Sequence, residues 1–160
     1  YNRGLKDLNG HSPTSLLARL AGTCEVHPVA SASPSAKHSL SLFLDGRWHG
    51  LSFRPDLLEG RSGIDALDVT LLQDRILQPL FAIDDPRTSH RIQFIGGIRG
   101  TGELERRVNS GEFACAFSMF PTGIEDLMAI ADAGGIMPPK STWFEPKLRD
   151  AMFCLMLGPG

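Results

Sequence analysis

Residues 96–102 read Gly-Gly-Ile-Arg-Gly-Thr-Gly, four glycines in seven positions around a single arginine. Glycine permits positive φ and close backbone approach to a ligand, and a helix opening at Thr101 leaves its first N–H groups unpaired. Bare amides beside a cation are the ingredients of an anion cradle. Gly97, Arg99, Gly100 and Thr101 are therefore candidate anion-binding residues. The turn is not a phosphate loop, because no Lys-Ser or Lys-Thr follows the last glycine. It also departs from the dinucleotide fingerprint, which needs another glycine after Gly102. The architectural alternative is that the glycines only let the chain turn tightly while Arg99 points to water.

A second chemical stretch spans 137–147, Met-Pro-Pro-Lys-Ser-Thr-Trp-Phe-Glu-Pro-Lys. Pro138 and Pro139 stiffen the approach and present Lys140, Ser141 and Thr142 from a fixed backbone. A lysine and hydroxyls on a rigid corner suit phosphate or carboxylate, and Trp143 or Phe144 would cover a ring. The alternative is a corner whose aromatics fill the core. The functional reading requires the glycine turn and the proline corner to face one pocket.

No nucleophile–base pair is visible, so the catalytic residues are unassigned. The five histidines (His11, His27, His38, His49, His90) share no motif and none has helical metal-ligand spacing. His90, just ahead of the strand at 91–95, is the one to watch. Asp84-Asp85 before Pro86 reads as a solvated turn rather than a Mg²⁺ site, and no metal ligand is assigned.

A net charge of −2 with both signs scattered gives no basic field to attract nucleic acid. The apolar runs are too short for a membrane span and no cleavable leader is recognisable, so the expected location is the cytoplasm. Cys24, Cys115 and Cys154 are odd in number and widely spaced, as buried free thiols would be. The chain opens at Tyr1, and the expectation is a piece of something longer.

The elements that must position these residues can be read in order. Residues 1–11 are polar and irregular, a connecting segment. Ser12 and Pro13 open a helix with Leu16, Leu17 and Leu20 on one stripe, ended at Gly22. A strand at 24–29 and a loop at 30–37 lead to a β-hairpin over 39–53, where Asp45-Gly46 separates alternating runs and pairs Phe43 with Trp48. A helix capped by Asp65 or Asp68 carries Val69, Leu72 and Ile76, and Pro79 stops it near Leu77. Residues 91–120 form a strand–helix–strand unit favouring a parallel pair, with Phe113, Cys115, Phe117 and Met119 on one face of the last strand. Thr122 with Glu125 makes a capping box for a helix that buries Ile124, Leu127, Met128 and Ala131. A final apolar strand is expected at 152–157. The sum is one α+β domain (an α/β sandwich) over 1–160, with helices packed on a mixed β-sheet.

The chain resembles the carboxy-terminal half of an uncharacterised prokaryotic family known as domain of unknown function 1015. Tyr1-Asn2-Arg3, Lys6 to Gly10, Leu67-Asp68-Val69, Arg87-Thr88, 91–100, Gly111-Glu112 and 130–147 carry the resemblance. The family's amino-terminal half is similar to ParB-like and free-serine-kinase proteins, whose Gly-His-His-Arg-Tyr signature is absent here. The resemblance implies a small-molecule kinase using ATP or ADP with Mg²⁺ in the whole protein, this fragment alone being inactive. The present half would then supply substrate contacts, closure or homodimer contacts, with the missing amino-terminal half and an anionic small molecule as its partners. The competing expectation is a non-catalytic interaction, regulatory or dimerisation domain.

Overall fold

The computed structural model describes residues 1–29 and 31–142. The hairpin forms as its alternation dictates: β3 (Ser39–Leu44) and β4 (Arg47–Phe53) join through Asp45 and Gly46 at φ of 50° and 73°. A two-residue loop needs positive φ at both positions. Phe43 pairs with Trp48, their ring centroids 5.0 Å apart, and Leu42 pairs with His49. Leu40, Leu42 and Leu44 enter the main core.

Around this hairpin lie β2 (Cys24–Pro28), β6 (Cys115–Met119), β1 (Asn2–Leu5) and β5 (Ile92–Ile95), in the order β2-β4-β3-β6-β1-β5. Every neighbouring pair is antiparallel. The strand–helix–strand unit is present as β5, α4 (Gly100–Asn109) and β6, but β1 is inserted between its two strands. Both are antiparallel to β1, so they share a direction without sharing a ladder.

β1 corrects the expectation that residues 1–11 merely connect. All four of its residues are buried and each is paired. A short strand covered on both faces shows no polar–apolar alternation, which is why its composition concealed it. Gly4 is required there, because a Cβ would lie 2.3 Å from the Phe113 ring.

One face of the sheet carries α1 (Pro13–Leu20) and the helical run beginning with α2 (Asp68–Leu72), with Leu5, Leu16, Leu42, Leu72, Phe81 and Phe117 at the centre. Ser12 caps α1, its Oγ accepting from the Ser15 N–H at 3.2 Å. The other face carries α4, which packs Leu104 with Ile95, Phe113 and Ala116. This is an α+β sandwich of helices on a central sheet.

Four local expectations are corrected. The helix from Asp68 does not stop at Leu77; a π turn at Gln73–Leu77 passes it into α3 (Gln78–Phe81), which ends at Ala82 with φ 51°. The extra residue in a π turn shifts the hydrogen-bond ladder just where Pro79 has no N–H to give. Phe113 lies on the face opposite Cys115 and Phe117, because its N–H closes onto the Arg107 carbonyl at 3.2 Å instead of extending β6. In α5 (Ile124–Asp132), Ile130 alone is buried, while Ile124 and Met128 are 55% and 58% exposed. Thr122 does not cap α5; its hydroxyl is drawn away to the Ser141 carbonyl. The strand expected at 152–157, with Cys154, lies outside the described residues.

Gly4→Ala is expected to destabilise the fold by about 1–3 kcal/mol through overpacking against Phe113. Urea denaturation checks this, and the cost should shrink when Phe113→Leu is present as well.

Candidate functional site

The glycine turn and the proline corner come together. A cavity of about 480 Å³ is lined by Gly97 and Ile98 from the turn, and by Ser141 and Thr142 from the corner. Phe120 and Thr122 on the β6–α5 link, with Leu127 of α5, form another wall, and Tyr1 and Asn2 of the β1 end complete it. This size is in the range of small-molecule sites, about 300–1,000 Å³.

Short polar contacts fix the walls. Asn2 Oδ1 accepts from the Met119 N–H at 3.0 Å, holding β1 to the end of β6. Thr122 Oγ1 donates to the Ser141 carbonyl at 3.0 Å, and Ser141 Oγ donates to the Pro138 carbonyl at 2.6 Å. Arg3 Nη2 donates to the Lys140 carbonyl at 3.3 Å, where Lys140 takes φ 57°. Lys140 Nζ sits 5.4 Å from the Tyr1 ring centroid.

Of the residues singled out from sequence, Gly97, Ser141 and Thr142 line the cavity; Arg99, Gly100, Thr101 and Lys140 do not. Arg99 is 60% exposed, with Nη1 4.0 Å from Glu103 Oε1. Glu103 is also bound by Arg106 at 2.8 Å and Arg107 at 2.7 Å, and those donors hold its carboxyl down at about 2. It stands in the first turn of α4, so the positive end of that helix already faces a carboxylate of its own chain. Gly100 has φ 71°, a backbone role at the junction between the 3-10 turn Gly97–Arg99 and α4. Trp143 and Phe144 lie outside the described residues.

Beside this cavity, and sharing its Phe120, Pro121, Thr122 and Gly123 wall, is a cleft of about 260 Å³ lined also by Lys37, Asp68, Glu125 and Asp126. Lys37 Nζ meets Asp126 Oδ1 at 2.5 Å across its mouth. Asp68 Oδ1 accepts from the His38 backbone N–H at 2.9 Å and lies 3.3 Å from His38 Nδ1. Burial pushes the Asp68 carboxyl above its usual range, against the pull of His38 and Lys37. Sequence reasoning missed this pair. The two residues belong to different elements and no local motif links them. Only the placement of Asp68 at the start of α2, and the positive φ of 63° at His38, bring them together.

Burial pushes the Cys24 thiol up to about 12, and Cys115 is raised by the same cause, so neither is an activated nucleophile. Among the described residues, no group of three or more His, Cys, Asp or Glu side chains is placed to hold a metal ion. No helix among them is long and apolar enough to cross a membrane. No family model, curated protein or solved structure matches the chain.

The raised Asp68 carboxyl carries a sign. A folded state that binds this proton more tightly than the unfolded chain loses stability as pH rises from about 4 through the folded value. Asp68→Asn lacks that loss while keeping an acceptor for the His38 N–H. Its stability relative to wild type should therefore increase between about pH 4 and pH 7, as urea denaturation at each pH would measure.

Proposed function

We propose that this domain is a contact-supplying module of a cytoplasmic enzyme that binds a small molecule or nucleotide phosphate. The cavity between the glycine turn and the proline corner receives the uncharged part of the ligand. Arg99 and Lys140, each within two residues of a lining residue, meet its phosphate at the margin. The observation that carries this reading is that Gly97 and Ser141, distant in sequence, line one cavity. Its described lining has no Asp, Glu, His, Lys or Arg, so it offers shape, hydroxyls and amides but no carboxylate or imidazole base. A reaction at this ligand would draw its proton-transfer groups from elsewhere in the whole protein. That division matches what the resemblance to the uncharacterised family implies, a carboxy-terminal half serving a kinase-like half.

A second reading has its own observation. Ile98, Ile124, Met128 and Ile136 are 66%, 55%, 58% and 86% exposed, and exposed apolar side chains of this size favour a protein contact. On that reading the domain is an interaction or dimerisation module and the cavity is the seat of a partner's side chain.

Thermal unfolding with ATP, ADP and phosphoserine separates the two. A true ligand at about a hundred times its dissociation constant adds about 2.7 kcal/mol, a midpoint rise of about 5–10 °C. Ile98→Trp, at an exposed rim position, should abolish that rise while leaving the unliganded midpoint within a few degrees. No rise with any of the three, together with a dimer that Met128→Asp dissociates, would favour the interaction module.

A further inference from the structure

Arg3 is 4% exposed, yet no carboxylate among the described residues reaches it. Its guanidinium donates to the backbone carbonyls of Tyr1, Asn2 and Lys140, and its Cζ lies 4.5 Å from the centroid of the Phe94 ring. Carbonyl dipoles and an aromatic face hold a cation without neutralising it. Burial alone lowers its pKa to about 10, so it remains charged at neutral pH. An uncompensated buried charge is costly, and proteins ordinarily pair such groups or present them to a ligand.

Arg3 lines a cavity of about 290 Å³ in which Pro138, Pro139, Val69, Leu77 and Phe94 form apolar walls. Four charged side chains line it: Arg3, Arg87, Asp74 and Asp85. Arg87 and Asp85 satisfy each other through a two-pronged contact at 3.0 and 2.7 Å. Asp74 is exposed and forms no ion pair among the described residues. Arg3 and Asp74 are thus the two charged side chains of this lining with no ion pair among the described residues, and a doubly charged anion would meet two carboxylates there.

We propose that this second cavity is a binding site for a small organic monocarboxylate with an apolar body, its carboxylate on the Arg3 guanidinium and its chain against Pro138, Pro139 and Leu77. A guanidinium fork matches a planar carboxylate in two parallel hydrogen bonds, a fit that lysine cannot reproduce. The site is a different cavity from the one at Gly97 and Ser141, which it meets at Val69.

The test compares hexanoate, hexanol and hexyl phosphate by calorimetric titration of the full chain. Hexanoate should bind at least about tenfold more tightly than either of the others. Arg3→Lys should weaken hexanoate about tenfold. Asp74→Asn, an exposed change that leaves the fold intact, should tighten hexanoate about two- to fivefold by removing a like charge, and should leave hexanol unchanged. That last response keeps the proposal testable if Arg3→Lys fails to fold. Equal binding of hexanol and hexanoate, tighter binding of hexyl phosphate, no saturable hexanoate binding, or an Asp74→Asn variant with unaltered hexanoate affinity would each overturn it.

Discussion

Arg3 sits on a strand that is hydrogen-bonded on both sides, and its side chain is buried except where it lines the cavity beside Pro138 and Pro139. From that position it grips the Lys140 carbonyl and fixes the proline corner against the start of the chain. Much else follows from this constraint. The corner, once fixed, turns Ser141 and Thr142 into one cavity and Pro138 and Pro139 into another. The same strand closes the sheet between β5 and β6 and, through Asn2, ties down the end of β6.

The charged groups are distributed so that cations and cavities are partly decoupled. Arg106 and Arg107 are spent on Glu103 at the first turn of α4, and Arg87 is spent on Asp85. Arg99 stays exposed with only a long contact to Glu103, and Lys140 lies over an aromatic ring. Exposed pairs of this kind contribute little to stability, so these cations can be re-directed at small cost. Arg3 differs because its environment is set by the backbone and cannot relax.

What could be read from the residues was whatever local chemistry determines. Asp45-Gly46 between alternating runs dictates the hairpin, and Ser12-Pro13 dictates the start of α1, because turn and cap preferences act over a few residues. The approach of the glycine turn to the proline corner could be named as a requirement, but no local signal in either stretch foretells it, since it depends on β1. That strand was illegible: Asn2, Arg3 and Gly4 look like a polar linker until a sheet covers both faces. Pro79 misled for a related reason, as the π turn that accommodates it has no sequence signature. Thr122 and Glu125 satisfied the capping pattern, yet the Thr122 hydroxyl donates to the Ser141 carbonyl in the cavity wall instead. The pairing of His38 with Asp68 was hidden because tertiary placement alone creates it.

That β1 is an inner strand holding Arg3 in the interior is tested most directly by native-state hydrogen exchange. Backbone amides of Asn2, Arg3, Gly4 and Leu5 should exchange as slowly as those of β3 and β6, opening only with global unfolding. Exchange at those four amides as fast as in the exposed turns would contradict the account, because a frayed β1 could neither bury Arg3 nor bring the two cavities into being.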